Sequence, residues 1–403
     1  MKYICLLIIP LLLSADANAF DGPSQQQLAE WLKRFPKADT NGDGKLSVKE
    51  ATAYQQKRRK SAGRQNGAPS TFEVDPGWKS DSFPDHAVCY RTPKEIQELY
   101  TKTPDGQKNS ITSYPKPADG ALRIVGTGHS FMAPGYTTLP AITRAAGLNQ
   151  PPLVTHTGGG MTGSTRYKWE QENGIFQFDR QPTPKLLASI SNAEWDAMMW
   201  GPYFQDQPEY YLCWMDFSLK YNPQMKFYLS DAWPQLGQLQ QQPKSEDELT
   251  PEVFAQMGAE KNVATTKLVG TLNAKHPQKV FVMPTNDAMV LAADYYSRGE
   301  LPGVEGIHRL IGKKERSLWH DHLGHLGPGL GDLEGYVFYA TLYGRSPELI
   351  EDDVNFRRDS NYPSRELDRM FRRIAWQAVT NHPLSGVVDA DKDGINDLES
   401  VAR

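Results

Sequence analysis

Apolar positions along this chain fall into two kinds of run. Short blocks at 122–125 (LRIV), 153–157 (LVTHT), 195–200 (WDAMMW), 225–229 (MKFYL) and 279–283 (KVFVM) are each closed by Gly, Ser or Pro and predict buried strands. Longer stretches with apolar residues three and four apart predict helices over 138–146, 185–193, 209–221, 251–276 and 288–298. Two further helices are expected at 333–343 and 365–381, the second with Leu367, Met370, Phe371, Ile374 and Ala378 on one face. Strands alternating with helices imply right-handed crossovers and a parallel sheet covered on both sides, a three-layer α/β fold. In such a sheet a ligand binds outside the carboxyl ends of the strands. Ser130, the glycine run 158–160 and Gly201 all fall there.

Ahead of the first strand the pattern changes. Leu28, Trp31, Leu32 and Phe35 recur at helical spacing over 25–38, and the chain then reads DTNGDGKLSVKE from Asp39 to Glu50. Asp39, Asn41 and Asp43 stand at alternate places, Gly44 permits a sharp turn, and Lys45 with its carbonyl, Ser47 and Glu50 follow. This order resembles an EF-hand loop, which implies a Ca²⁺ ion held by these six residues; Leu46, Ala51 and Tyr54 suit the helix that follows such a loop. A second acidic run, DADKDGIND from Asp389 to Asp397, resembles a calcium loop of the DxDxDGxxD kind. That resemblance implies Asp389, Asp391, Asp393, the Ile395 carbonyl and Asp397 as ligands, with a departure from the EF-hand pattern at its twelfth place, Ser400. Calcium is expected to be structural in both, since sensors use paired hands around a Met-rich groove.

Composition adds limits rather than direction. A net charge of −4 gives no basic surface for nucleic acid, and the run KRRKSAGR at 57–64 is expected to be a solvated linker. Residues 1–19 carry Lys2, an apolar run at 4–13 and the small residues Ala17 and Ala19 before Phe20, the pattern of a signal peptide. That run is shorter than the ~20 residues a membrane-spanning helix needs. The chain is therefore expected to be exported to the periplasm or the extracellular space, with no membrane span. Its expected organisation is a signal peptide (1–19), an EF-hand segment (20–62), a linker and lead-in (63–118), an α/β domain (119–387) and an acidic calcium-loop tail (388–403). In an oxidising compartment Cys89 and Cys213 are candidates for a disulfide.

Ser130 lies where the first strand turns toward a helix. A serine needs a histidine base oriented by a carboxylate to act as a nucleophile, and WHDHLGHLGPG (319–329) supplies Asp321 and His325, with His322 as a rival base. A serine followed by a late Asp and His, across alternating strands and helices, resembles the SGNH (GDSL-like) hydrolase family over residues 121–387. The resemblance implies a flavodoxin-like sheet and a serine esterase in which Ser130 attacks a carboxylic ester, His325 transfers the proton and Asp321 orients the ring. Carbohydrate O-acetyl esters are one substrate class that it implies. It also implies an oxyanion site made of the Ser130 N–H, a glycine N–H from Gly159 or Gly160, and a side-chain amide.

The chain departs from the family in three ways. Gly128-His129-Ser130 stands where the family has Gly-Asp-Ser or Gly-Asn-Ser. Asp321 and His325 are one position further apart than in the family's Asp-x-x-His. The segment Gly201-Pro202-Tyr203-Phe204-Gln205 has no asparagine, which leaves Gln205 to supply the amide. Losing one oxyanion donor costs ~10²–10³ in rate, so a non-catalytic exported calcium-binding protein on the same scaffold is the second reading. A third stays open: His320, His322 and His325 with Asp321 offer donors that suit Zn²⁺, although no other His/Asp cluster completes that set.

Overall fold

The five apolar blocks become five strands: β1 (Ile124–Gly128), β2 (Val154–Thr157), β3 (Ala197–Trp200), β4 (Lys226–Ser230) and β5 (Val280–Met283). The structure is a computed structural model. It describes residues 28–29, 32–33, 35–47, 50–51, 53–54, 94, 98, 113–157, 166–167, 170, 177–178, 181–182, 186–201, 208–354, 356 and 362–400. The chain divides into two units, Met1–Ala68 with Leu236–Gln242, and Pro69–Gln235 with Pro243–Arg403. The signal-peptide segment 1–19, the basic run 57–64 and Cys89 lie outside the described residues, while Cys213 is buried.

In the larger unit the strands lie in the order 2-1-3-4-5 and every pair is parallel. Val125 stands opposite Val154 and Met198, Met198 opposite Phe227, and Phe227 opposite Val280. The connections carry α1 (Ala133–Ala145), α2 (Leu186–Asn192), α3 (Pro208–Tyr221), α4 (Pro251–Lys275) and α5 (Thr285–Ser297). After β5 a separate parallel pair forms from β6 (Gly306–His308) and β7 (Ser317–Trp319), followed by α6 (Leu330–Tyr343) and α7 (Arg365–Asn381). That pair has no counterpart in the sequence pattern, because each strand is three residues long and charged residues separate them.

Alternate strand residues build the core on one side of the sheet. Val125, Met198, Trp200, Phe227, Leu229, Val280 and Val282 meet Leu187, Trp195, Trp214, Phe217 and Leu272 there. Trp200 stacks on Phe227 with ring centroids 4.8 Å apart. Each large side chain so buried stabilises the fold by about 1.5–3 kcal/mol relative to exposure. The outer edge of β5 is covered where the Val282 N–H donates to the Leu384 carbonyl at 2.8 Å.

On the other side, α1 packs tightly against α6. A Cβ on Gly135 would come within 2.2 Å of the Phe338 ring, and one on Gly335 within 2.2 Å of Thr138 Oγ1. The buried Glu334 accepts the Gly135 N–H at 2.7 Å, and burial pushes its carboxyl well above the usual range against that one hydrogen bond. Tyr136 crosses Gly126, where a Cβ would lie 2.5 Å from its hydroxyl, and donates to the Met199 carbonyl at 3.1 Å.

Three helices start at least three residues earlier than their periodicity indicates, α6 among them at Leu330. Helix α1 begins at Ala133 because Pro134 suits a first turn, where its missing N–H is not needed, and Glu334 takes the Gly135 N–H. Helix α5 begins at Thr285 because Asp231 Oδ1 accepts the Asn286 N–H at 2.8 Å, so Asn286 and Asp287 lie within the first turn.

The smaller unit has its own core of Leu28, Ala38, Leu46 and Ala51, with Leu32, Phe35 and Tyr54 packed against it. Its loop from Asp39 to Ser47 separates a 3₁₀ turn (Pro36–Ala38) from helical residues at 50–51 and 53–54.

Two outcomes follow from the α1–α6 contact. Gly335→Ala should destabilise the protein by about 1–3 kcal/mol through overpacking, read from the urea midpoint. Glu334 has a folded-state pKa above its unfolded one, so its contribution to stability falls as pH rises past the ordinary value of 4.5. The stability of Glu334→Gln relative to the parent should therefore increase with pH above that point, measured by urea unfolding across the range.

Candidate active site

Strand β1 ends at Gly128, and the chain turns at once: the Met132 N–H donates to the His129 carbonyl at 2.9 Å and the Ala133 N–H to the Ser130 carbonyl at 3.3 Å. Ser130 is exposed on this turn, while Met132 beneath it is buried. Two glycines make room for Met132: a Cβ on Gly128 would lie 2.6 Å from its Cγ, and one on Gly201, just past β3, would lie 2.3 Å from it. The serine thus sits at the carboxyl ends of β1 and β3. The crossovers from β1 and β3 run in opposite directions there, and a crevice opens in sheets of this order.

The histidine comes from a tight turn beyond β7. Trp319 bridges Leu326 in antiparallel fashion, the His320 N–H donates to the His325 carbonyl at 2.7 Å, and the Gly327 N–H donates to the Leu318 carbonyl at 2.8 Å. Gly324 adopts a φ of 82° at the tip, a conformation glycine takes without strain. Asp321 Oδ1 accepts the backbone N–H groups of Leu323 (3.0 Å) and His325 (3.1 Å), so the carboxylate holds the turn as well as the ring.

These two elements bring Ser130, His325 and Asp321 into one hydrogen-bonded chain. The Ser130 hydroxyl lies 2.8 Å from His325 Nε2, and His325 Nδ1 lies 2.8 Å from Asp321 Oδ2. The longer Asp321–His325 spacing is accommodated by the Gly324 turn. His322 is exposed and has no contact with Ser130, so the geometry selects His325 over its rival. His320 contacts the Arg309 side chain, and its Nδ1 is 3.9 Å from Asp321 Oδ2. Burial pushes the Asp321 carboxyl up, but the His325 side-chain hydrogen bond and the two backbone N–H groups outweigh it and hold the carboxyl below its ordinary value.

The amides around the serine are distributed unevenly. The N–H groups of Phe131, Met132, Ala133, Gly135 and Tyr136 are taken by His129 Nδ1, the His129 and Ser130 carbonyls, Glu334 and the Met132 carbonyl. Among the described residues none accepts from the Ser130 N–H, which leaves this amide beside its own hydroxyl. Gly159, Gly160 and Gln205, the remaining expected oxyanion donors, lie outside the described residues.

Two aromatic residues at the site escaped the sequence reading. Phe131 stacks on Trp233 (4.7 Å, 22°) and meets the His325 ring edge-on (5.1 Å, 81°). The available signals were that Phe131 follows the serine and that Trp233 lies just beyond the carboxyl end of β4, where sheets of this kind bind ligands.

The acidic loops differ from one another. Asp389, Asp391 and Asp393 each place a carboxylate oxygen within 4.8 Å of the others, the only such trio of His, Cys, Asp or Glu among the described residues. Asp389 Oδ1 is a buried atom with no hydrogen-bond partner, while Oδ2 accepts from Trp376 Nε1 at 2.8 Å. Asp397 accepts the Ala390 N–H (2.7 Å), and Ile395 bridges Arg345. An all-oxygen set with an unsatisfied carboxylate atom suits a hard cation.

In the loop at 39–50 the side chains bind their own backbone. Asp39 accepts from the Gly42 and Gly44 N–H groups (2.7 and 2.9 Å), Asn41 from Asp43 (3.0 Å) and Asp43 from Lys45 (2.8 Å). Glu50 closes the loop by accepting from the N–H and hydroxyl groups of Thr40 and Ser47 and from the Asn41 N–H. The Ser47 hydrogen bonds lead in holding its carboxyl down at about 2. The carboxylates of Asp39, Asp43 and Glu50 do not converge as the C-terminal trio does.

Because its folded-state pKa is depressed, Asp321 should stay ionised below pH 3.8, and its carboxyl ¹³C titration should have a midpoint under that value. In His325→Ala, which removes the first of the lowering interactions, the midpoint should move up. No known family model matches this chain, and a search of curated proteins finds no match to it.

Proposed function

We propose that this chain is an exported, calcium-binding serine esterase of the SGNH type. The observation that carries the reading is the continuous hydrogen-bonded chain from Ser130 through His325 to Asp321. Ser130 Oγ attacks the carbonyl carbon of a carboxylic ester while His325 Nε2 takes its proton. The alkoxide leaves with that proton, and a water then releases the acyl group by the same steps. Asp321 keeps the proton on Nδ1 and so leaves Nε2 as the acceptor. The developing oxyanion is received by the Ser130 N–H, and the family resemblance assigns the further donors to Gly159 or Gly160 and to Gln205. The small acyl group of a carbohydrate O-acetyl ester is the substrate class that resemblance favours.

Calcium is structural in this reading. Asp389, Asp391 and Asp393 with the Ile395 carbonyl and Asp397 hold one ion, and Asp39, Asn41, Asp43, Lys45, Ser47 and Glu50 hold another in an EF-hand. What supports the first is the gathered carboxylates with the unpartnered Asp389 oxygen; the second rests on the residue order and the side-chain turns along the loop.

Purified protein should hydrolyse p-nitrophenyl acetate in calcium buffer and be labelled at Ser130 by a fluorophosphonate. Ser130→Ala should lose both, with kcat down on the order of 10⁴–10⁶-fold. Absence of turnover and label from the parent protein would leave the non-catalytic calcium-binding reading. A bound ion at a hundredfold excess over Kd adds about 2.7 kcal/mol to folding. Chelation should therefore lower Tm, and Asp389→Asn and Glu50→Gln should each remove part of that shift; an unshifted melting curve in chelator speaks against both sites.

A further inference from the structure

We propose that Trp233 is a positioning residue that holds the serine and histidine halves of the triad in register; the inference rests on the esterase reading. The two halves lie 195 residues apart in sequence, and their direct polar link is the hydrogen bond between His325 Nε2 and Ser130 Oγ. One bond between a side chain on a turn and an exposed hydroxyl does not fix a geometry. A misplacement of about 1 Å costs about 10²-fold in rate, so something else must hold the two turns together.

Trp233 touches both. Its indole N–H donates to the Gly324 carbonyl at 2.5 Å, inside the Asp321–His325 turn and one residue before the base. Its ring stacks on Phe131, one residue after the nucleophile, and Phe131 in turn presses edge-on against the His325 ring. The indole is fully buried. Its N–H therefore has no water to turn to, and the Gly324 carbonyl is the partner that satisfies it.

Trp233 is itself held from below. The chain leaves β4 through Asp231 and Ala232, whose φ of 55° marks a sharp turn. The Thr285 hydroxyl lies 3.0 Å from Asp231 Oδ1 and 3.3 Å from the Ala232 carbonyl, and Asp231 Oδ1 also accepts the Asn286 N–H. The start of α5 thus fastens the turn that delivers the indole. The end of β4 is thus the element that meets both turns of the site.

The test compares Trp233→Phe, which keeps a ring against Phe131 and removes the N–H, with Phe131→Leu, which breaks the stack and keeps the indole bond to Gly324. Trp233→Phe should lower kcat 10- to 100-fold with KM within twofold of the parent. It should also broaden or abolish the downfield His325 Nδ1–H proton resonance, while the near-UV circular dichroism stays that of a folded protein. Phe131→Leu should lower kcat in the same direction. Should Trp233→Phe fail to fold, Phe131→Leu alone decides, by the same kcat and resonance readings. Parental kcat and an unchanged resonance in the folded variants overturn the inference. If the parent protein neither turns over nor labels at Ser130, the esterase reading fails. The proton resonance then still decides whether Trp233 positions His325: its loss in Trp233→Phe supports that role and its persistence overturns it.

Discussion

The site depends on how closely β1 and β3 approach at their carboxyl ends. Gly128 and Gly201 leave a gap that a Cβ on either would close, and the Met132 side chain fills it. The Gly201 N–H donates to the Thr127 carbonyl at 3.1 Å and extends the ladder one step past the last strand residue. With Met132 anchored in that gap, the turn from His129 to Met132 has one position available to it, and Ser130 is raised above the sheet. Interiors packed at crystal-like density transmit such constraints with little slack. Ser130 is therefore placed by a sulfur-bearing side chain two residues further on rather than by packing contacts of its own.

The same economy governs the amides. A helix start leaves four N–H groups without intrahelical partners, and in many proteins these would surround an anion. Here His129, Ser130 and Glu334 occupy most of them before any substrate arrives. Glu334, whose carboxyl burial pushes well above the usual range and so away from the charged form, takes its share through the Gly135 N–H. What is left for a developing charge is one amide adjoining the hydroxyl, together with whatever the turns after β2 and β3 contribute.

Much of this was legible in the chain. Parallel strands buried on both faces read as short apolar blocks, which is why all five sheet strands were visible. Helix α7 was legible to the residue, because Ser364 accepts the Leu367 N–H at its start and Pro383 lies just beyond its end. Ser130, Asp321 and His325 were recognisable by type and order. The choice of His325 over His322 was not, since it turns on the φ of Gly324 and on Asp321 accepting two backbone N–H groups. The starts of α1 and α5 were hidden because Glu334 and Asp231 satisfy them from far away in sequence. Trp233 was hidden for the same reason: nothing near it in the chain names Gly324 or Phe131 as its partners.

The division of labour between the sheet and the β6–β7 ribbon has a consequence for how the molecule fails. Ser130 is carried by the five-stranded sheet, whereas Asp321 and His325 ride on a hairpin extending from a two-stranded ribbon that shares no ladder with that sheet. Proteins open in cooperative pieces, and this ribbon, although the residues of both its strands are buried, is a piece separate from the core sheet. Excursions of the ribbon separate Asp321 and His325 from Ser130 while every strand of the sheet stays paired. The hydrogen-bonded chain from Ser130 to Asp321 then has a lifetime of its own, shorter than that of the fold, and on the esterase proposal ageing or mild heat would leave molecules that look native and do nothing.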